Sequence, residues 1–180
     1  MNEERVSLRY ARAIFDIALE QKNAKQIFDD FVLIDQVVAK SRDFNLLLNN
    51  PVIRPDKKNK VIEEIFSGKI NELTLKLLLV ITEKGREILI PSISRQFEII
   101  YNAEYKRLPI KVLTAHQLND MQKQDLISKL NQSFKMEILP EYEVDKAVLG
   151  GVKFVVADKI IDSSVSNQLE KLKQNMILGN

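Results

Sequence analysis

The stretch EIIYNAEYKRLPIKVLT, residues 98–114, contains the point at which the hydrophobic pattern of this chain changes. Before the change, apolar residues recur at helical spacing. After it, they alternate with polar residues, at Leu108, Ile110 and Val112. Alternation with a period of two is typical of a strand with one buried face. We therefore predict two domains in the 180 residues, a helical bundle over 1–107 and a small α+β domain over 108–180.

Six helical segments are predicted in the first domain, which makes the fold class mainly α with an amino-terminal six-helix bundle. They span residues 4–21, 24–40, 42–49, 55–66, 70–84 and 87–106. Pro55 stands at the start of the fourth segment, where its missing N–H group costs nothing. Gly85 follows the fifth segment, as is typical of a helix that ends in a left-handed cap.

The second domain is predicted to combine strands with two helices. Its segments are a strand at 108–114, a helix at 119–132, strands at 136–143, 151–157 and 159–161, and a closing helix at 164–178. Asn119 and Gln122 have the spacing of a capping box at the start of the first helix. Asp162 or Ser164 can cap the closing helix.

The composition excludes most catalytic and metal chemistry. The chain has no cysteine and one histidine, His116, which excludes disulfides, zinc fingers, iron–sulfur clusters and cysteine nucleophiles. Ser163 and Ser164 have no histidine beside them in any nucleophile motif, and Gly150-Gly151 lacks the Lys-Ser/Thr of a phosphate-binding loop. We therefore predict no catalytic residue, no cofactor-binding residue and no metal ligand.

The charge balance argues against a nucleic-acid partner. Lys and Arg total 27 and Asp and Glu total 25, so the net charge is +2, and neither domain has a marked excess of positive charge. A phosphate-binding protein needs such an excess. The run Lys57-Lys58-Asn59-Lys60 and the carboxylate pairs at 29–30 and 63–64 are interpreted as solvated helix faces.

No segment is predicted to cross a membrane. The longest apolar run, residues 77–81, is far shorter than the roughly 20 residues of a spanning helix. The first residues, 1–5, include acidic side chains and lack the layout of a signal peptide. We therefore expect a protein that is made and kept in the cytoplasm.

The first and fifth helices carry more apolar surface than one buried face requires. In the first helix, one apolar arc contains Leu8, Ala11, Phe15, Ala18 and Leu19, and a second contains Val6, Tyr10, Ala13 and Ile17. In the fifth, the charged Glu72, Lys76 and Glu83 occupy only about 40° of the helical wheel. Either the fifth helix is buried at the centre of the bundle, or the two helices border a groove for an amphipathic helix of another protein.

Several motifs, in order along almost the whole chain, resemble one protein family. They are RYARAIFDIA at 9–18, Asn50-Pro51 followed by the lysines at 57 and 58, LLLVI at 77–81 followed by EKGR at 83–86, VDKAVLGGV at 144–152, DKIIDSSV at 158–165 and LEKL at 169–172. On these motifs the chain resembles the delta subunits of F-type ATP synthases, which are relatives of the mitochondrial oligomycin sensitivity-conferring protein. It departs from the family pattern at Ala157 and Ser163, where the family usually has glycine.

The resemblance implies a non-catalytic stator subunit of the proton-translocating ATP synthase, with no cofactor. In that family the first and fifth helices form a groove for the amino-terminal helix of an alpha subunit, which by position assigns Tyr10, Ala13 and Val80 to the contact. Lys76 stands where some relatives have an uncharged polar residue. The carboxyl-terminal domain would bind the b-type subunits of the peripheral stalk. The location implied is the cytoplasmic face of the bacterial cell membrane, reached only through the complex.

An RNA-binding accessory factor is the alternative, because compact helical bundles of this size also act in transcription complexes. The balanced charge argues against it, and RNA binding would weaken steeply with salt. An enzyme is third, because the sequence offers no convergent acid, base and nucleophile.

Overall fold

The structure is a computed structural model that describes residues 3–156, 159–162 and Asn167. It divides into two compact units, Met1–Tyr101 and Asn102–Asn180, which we call the helical unit and the sheet unit. The described part of the chain is mainly helical, with a small four-stranded sheet near its carboxyl end. No helix in that part is both long enough and apolar enough to span a bilayer.

The helices that precede the first strand lie close to the predicted bounds. They are α1 Glu3–Glu20, α2 Ala24–Lys40, α3 Arg42–Asn49, α4 Pro55–Phe66, α5 Glu72–Glu83 and α6 Ile90–Glu104, with a 3₁₀ turn at Glu87–Leu89 between the last two. Pro55 is the first residue of α4, as predicted. Gly85 has φ +63°, which confirms the left-handed cap after α5.

Two helix starts differ from the predictions for local reasons. Helix α5 begins at Glu72 rather than residue 70, because the side chain of Asn71 accepts a hydrogen bond from the Leu73 amide at 2.9 Å and caps the helix there. The predicted helix 87–106 begins as a 3₁₀ turn, and α6 starts at Ile90. Pro91 then falls in the first turn of α6, where a missing N–H group breaks no helical hydrogen bond.

The core of the helical unit is continuous and centred on aromatic side chains. Phe97 is fully buried, and its ring centroid lies 4.8 Å from that of Phe31 and 5.6 Å from that of Phe15. The Tyr101 ring stacks on Phe28 with 4.5 Å between centroids. These contacts join α1, α2 and α6.

The interpretation of the charged pairs and runs as solvated faces is wrong at two residues. Lys58 is only 1% exposed and Asp30 is also buried. Lys58 lies one and two turns before the buried Ile62 and Phe66, so the register of α4 carries it into the core. Both charged groups find polar partners, as buried charges must.

In the sheet unit, strand β1 (Arg107–Thr114) is followed by α7 (Asp120–Phe134), β2 (Glu137–Val144), β3 (Val152–Val156) and β4 (Lys159–Asp162). The strand order is β2-β1-β3-β4, with β1 parallel to β2 and antiparallel to β3, and β3 antiparallel to β4. A parallel pair needs a long crossover, and α7 provides it. Leu126 and Leu130 of α7 pack against the buried core of the sheet.

The predicted capping box at the start of α7 is confirmed. The Asn119 side chain accepts from the Gln122 amide at 2.8 Å, and the Gln122 side chain accepts from the Asn119 amide at 3.0 Å. Ser163, Ser164, Ala157 and most of the predicted closing helix 164–178 lie outside the described residues. Asn167 is helical, and its Nδ2 donates to the Asp162 carbonyl oxygen at 2.8 Å.

Candidate interface groove

Helices α1 and α5 lie side by side and run in opposite directions. Near one end, Arg86 Nη1 donates to the Tyr10 hydroxyl at 3.2 Å. Near the other, Gln21 lines a surface pocket together with Asn71 and Glu72. The amino-terminal half of α1 therefore lies beside the end of α5, and its carboxyl end lies beside the start of α5.

Between the two helices lies a shallow apolar cleft of about 180 Å³, which we call the groove. It is lined by Ala13, Ile14 and Ile17 of α1 and by Leu73, Lys76, Leu77 and Val80 of α5. Ile17 is 40% exposed and Val80 is 43% exposed. Six of the seven lining residues are apolar, so the groove offers a surface that water covers poorly.

Helix α1 has two apolar sides, and only one of them faces the core. The other side remains open at the surface. The buried apolar residues of α1 are Val6, Ala11, Ile14, Phe15 and Ala18. Most of the second arc predicted from the sequence stays accessible, but Val6 is buried and Leu8 and Leu19 of the first arc are exposed. The open face of α1 therefore includes Ala13 and Ile17 of the second arc, and neither arc is buried or exposed as a whole.

Helix α5 is not enclosed on all sides, so its interpretation as a fully buried central helix is wrong. Thr74, Leu78, Ile81 and Thr82 are buried, whereas the leucines at 73, 75, 77 and 79 are only partly buried. The Thr82 hydroxyl donates to the Leu78 carbonyl oxygen at 2.9 Å, which satisfies this buried group within the helix. The opposite face of α5, with Val80, remains at the surface.

The buried carboxylate of Asp30 fixes the start of α5. Its Oδ2 accepts from the Asn71 amide at 2.9 Å and from the Thr74 hydroxyl at 2.6 Å. A negative charge at a helix amino terminus is favourable because unpaired N–H groups and the helix dipole point toward it. The sequence pattern indicates only that Asp30 lies at i+3 from the buried Ile27, on the same side of α2, and not that it caps another helix.

Buried Lys58 anchors the segment that follows α5. Its ammonium group forms an ion pair with Glu87 and donates to the Leu48 carbonyl oxygen at 3.2 Å. These bonds join α3, α4 and the 3₁₀ turn. Since Arg86 precedes Glu87 directly, the same contacts hold the backbone near the Arg86–Tyr10 hydrogen bond.

The structure brings two of the three predicted contact residues together in the groove. Ala13 and Val80 both line it, on opposite sides. Tyr10 does not line it; its ring is partly buried against the core, one turn before Ala13 and Ile14, and its hydroxyl accepts from Arg86. Tyr10 is thus placed to hold α1 and α5 together beside the groove.

The site has the features of a binding surface. Among the described residues, no group of three or more His, Asp or Glu side chains could hold a metal ion. His116 is exposed in the loop after β1. The apolar lining between two adjacent helices and the small side chain of Ala13 suit a packed helix.

Comparisons with known proteins show which family the chain resembles over almost its whole length. The family model for the ATP synthase delta (OSCP) subunit matches residues 6–176. The ATP synthase subunit delta of Fusobacterium nucleatum is 35% identical over 97% of this chain and 100% of its own length. That of Pelodictyon phaeoclathratiforme is 31% identical over 95% of this chain and 96% of its own.

A solved structure shares the fold. A chain of the Toxoplasma gondii mitochondrial ATP synthase hexamer aligns with a TM-score of 0.75 at 20% identity, over 95% of this chain and 97% of the other. The RNA-binding alternative receives no support from these matches. Members of the matched family are non-catalytic, peripheral subunits of a membrane-bound complex. The chain therefore belongs to the ATP synthase delta (OSCP) subunit family and is a stator subunit of that enzyme.

Proposed function

We propose that the chain joins the catalytic head of a proton-translocating F-type ATP synthase to its peripheral stalk, and that the groove is the joint on the side of the head. Its occupant is the amino-terminal helix of an alpha subunit. Ala13 and Val80 contact that helix, and Tyr10 positions α1 against α5. The helical unit acts as the six-helix bundle of the family, and the sheet unit binds the b-type stalk subunits.

The observation that carries this proposal is apolar surface left open on two adjacent helices. Ile17 and Val80 are among the large apolar side chains exposed on the helical unit, and both line the groove. An amphipathic helix presents apolar residues at i, i+3, i+4 and i+7, which matches a groove between two helices. Ala13 lets the backbone of such a helix approach closely.

The mechanical role explains why the joint is apolar. When the rotor turns, the head experiences a counter-torque, and a stator that released the head would uncouple proton flow from ATP synthesis. Such a joint needs slow dissociation more than fast association. Buried apolar packing dissociates slowly and is little affected by salt, unlike exposed charge pairs.

The place of action follows from the partners. Because the head and the ends of the stalk lie on the side of the membrane where ATP is made, the chain acts at the cytoplasmic face of a bacterial cell membrane. It is held there by the rest of the complex.

The direct test is a calorimetric titration of the full chain with a synthetic peptide of the alpha-subunit amino terminus from the same organism. We expect one-to-one binding that changes little between low and high salt. Ala13→Asp is expected to weaken it at least about tenfold, because docking of the helix would remove the new carboxylate from water in a largely apolar contact.

The matched control is Ala39→Asp, which makes the same change at an exposed alanine of α2 that does not line the groove. It should bind the peptide like the unmodified chain. Unchanged affinity in Ala13→Asp would contradict the assignment of the groove, and equal losses in both variants would show a general effect of charge.

A further inference from the structure

The two walls of the groove are joined by a hydrogen bond at one end. Arg86 Nη1 donates to the Tyr10 hydroxyl at 3.2 Å, and both side chains are partly buried. Tyr10 lies one turn before Ala13 and Ile14, which line the groove. Because the Tyr10 ring packs against the core, a bond to its hydroxyl limits how far α1 can move from the end of α5.

The backbone of Arg86 is held at the carboxyl end of α5. The Arg86 amide donates to the Ile81 carbonyl oxygen at 3.0 Å, and the Gly85 amide donates to the Thr82 carbonyl oxygen at 2.9 Å. With Gly85 at φ +63°, these two bonds form a Schellman motif, which ends a helix in a defined geometry. The chain therefore leaves α5 in a fixed direction, and Arg86 is the first residue after the left-handed glycine.

The residue that follows Arg86 is also anchored. Glu87 forms an ion pair with the buried Lys58, which donates in addition to the Leu48 carbonyl oxygen at 3.2 Å. The Leu89 amide donates to the Arg86 carbonyl oxygen at 2.9 Å and closes the 3₁₀ turn. Arg86 thus lies between two anchored points, and its side chain reaches the opposite wall of the groove.

The ion pair also accounts for the partner that Arg86 takes. Glu87 is the neighbouring carboxylate in the sequence, and its Oε2 atom is buried without a hydrogen-bond partner among the described residues. A carboxylate is a stronger acceptor for a guanidinium group than a phenol hydroxyl is. Arg86 nevertheless donates to Tyr10 and forms no ion pair in the part of the chain that the structure describes. Lys58 holds Glu87 and so leaves the guanidinium group to Tyr10.

We propose that Arg86 is a positioning residue of the groove and that the buried Lys58–Glu87 pair keeps it in that role. Through its bond to Tyr10, Arg86 sets the spacing between α1 and α5 before a helix docks. This inference rests on the proposed function, since binding of the alpha-subunit peptide is its readout. It adds that affinity depends on side chains that do not line the groove, because a preformed groove loses less free energy to ordering when its partner binds.

The experiment measures the affinity of the full chain for the alpha-subunit peptide by calorimetry. Tyr10→Phe removes the hydroxyl and keeps the ring, and Arg86→Met removes the donor. Each change is expected to weaken binding about fivefold, the scale of one net hydrogen bond. Because both changes remove the same bond, the double variant should bind no more weakly than either single variant.

Two matched controls accompany these variants. Tyr142→Phe removes a phenol hydroxyl of the sheet unit that has no hydrogen-bond partner among the described residues. Arg42→Met removes a positive charge from an exposed arginine at the start of α3. Both controls should bind the peptide like the unmodified chain.

Methyl NMR spectra of the chain without peptide separate positioning from direct contact. If Arg86 sets the spacing of the walls, Tyr10→Phe and Arg86→Met should shift the methyl signals of Ala13 and Val80 in the same way while the groove is empty. If these signals keep their positions although the affinity falls, the two side chains contact the docked helix directly and the positioning role is wrong.

The role of Lys58 is tested by a rescue. Lys58→Met frees the Glu87 carboxylate, which should take the Arg86 guanidinium group from Tyr10 and weaken binding about fivefold. Adding Glu87→Gln removes the competing charge, so this rescue variant should bind within about twofold of the unmodified chain. Lys57→Met, the same change at the exposed neighbour, should leave the affinity unchanged. All variants are compared at a temperature at which circular dichroism shows them folded.

The outcomes separate the two proposals. If the peptide does not bind the unmodified chain, the proposed function fails. If it binds and Tyr10→Phe has no effect, or the losses of Tyr10→Phe and Arg86→Met add, then the groove stands as the site and Arg86 does not position it through Tyr10.

A rescue variant that binds as weakly as Tyr10→Phe would contradict the role of the ion pair. This comparison holds even if Lys58→Met alone does not fold, because the rescue variant replaces both members of the buried pair and is measured against the unmodified chain. Tyr10→Phe leaves the pair intact, so it tests the role of Arg86 independently of Lys58.

Discussion

The helical unit and the sheet unit differ in the interactions that stabilise them. Buried apolar side chains dominate in the helical unit, and backbone pairing between strands is more important in the sheet unit. Among the residues that the structure describes, twenty buried apolar side chains form one continuous core in the helical unit. In the sheet unit, the described residues form a central cluster of three, Ile110, Val112 and Ile138, and α7 buries no residue fully. Strand β1 compensates by pairing with β2 over eight residues and with β3 over four.

This difference suits the two tasks. A groove that binds a preformed helix must keep its two walls at a fixed spacing, and a large core does this. The helical unit also uses buried charge for the same purpose, at Asp30 and Lys58. We therefore expect core and buried-charge substitutions in the helical unit to have the largest effects, and substitutions in the sheet unit to have smaller ones.

The largest effect is expected for Phe97→Ala. Phe97 is fully buried and its ring contacts Phe15, Phe31 and Tyr101, so truncation should lower the free energy of unfolding by about 4 kcal/mol. Urea denaturation followed by circular dichroism measures this loss. The control Ile99→Ala, at a residue that is 60% exposed, should cost less than about 1 kcal/mol. Equal losses would contradict the position of the core.

Lys58→Ala should have the next largest effect and lower the free energy of unfolding by about 3 kcal/mol. The reason is that it leaves the Glu87 carboxylate poorly solvated and without its cation. Lys57→Ala, the same change at the exposed neighbour, should alter the free energy of unfolding by less than about 0.5 kcal/mol. The same denaturation measurement compares the two. If both lysines behave alike, Lys58 is not buried in solution.

A smaller effect is expected in the sheet unit for Asn119→Ala, which removes the capping box of α7. The free energy of unfolding of the sheet unit should fall by about 1 kcal/mol, since the Gln122 amide loses its hydrogen-bond acceptor. Hydrogen exchange should speed up in α7 and leave the amides of α1 and α5 unchanged. Faster exchange throughout the helical unit would show that the two units do not unfold separately.

The smallest effect is a pH dependence at Asp35 of α2. Burial raises the pKa of this carboxyl above its ordinary value of 3.8, while the Ser94 hydroxyl that donates to it at 2.6 Å and nearby Arg95 act in the opposite direction. A raised pKa means that the folded chain holds the proton more tightly than the unfolded chain. The carboxyl therefore favours folding below pH 3.8, and this contribution is lost as the pH rises through the folded pKa.

Asp35→Asn should accordingly be more stable than the unmodified chain at pH 7, by less than about 1 kcal/mol, because the amide oxygen can still accept from Ser94. The difference should shrink as the pH falls toward 4. Thermal unfolding at both pH values measures it, with Asp29→Asn at an exposed neighbour as the control. A difference that does not change with pH would contradict the raised pKa.

Hydrophobic periodicity predicts most of the elements because it reports which side of each helix or strand meets the core. Periodicity alone does not give the start of α5. The apolar pattern begins at residue 70, but the Asn71 side chain caps the helix, so α5 starts two residues later. The burial of Lys58 and Asp30 is not predicted because charged side chains are usually exposed. Their positions along the helix indicate burial instead. Both lie in line with buried apolar residues of their helices.

The groove was only partly predictable. The excess apolar surface of α1 and α5 is visible in the sequence, but which faces stay open depends on how the helices pack. Val6 is covered, whereas Ile17 of the same arc is exposed, and a helical wheel alone does not distinguish them. The contact of Tyr10 with Arg86 joins residues 76 positions apart, so no local pattern indicates it.

One chain that attaches two partners at separate places should bind both of them at once. Sedimentation of the full chain with the alpha-subunit peptide and a soluble carboxyl-terminal fragment of the stalk subunits measures this. We expect a ternary complex with the unmodified chain, and a complex with the stalk fragment alone for Ala13→Asp. Competition between the two partners, or loss of both in Ala13→Asp, would contradict this expectation.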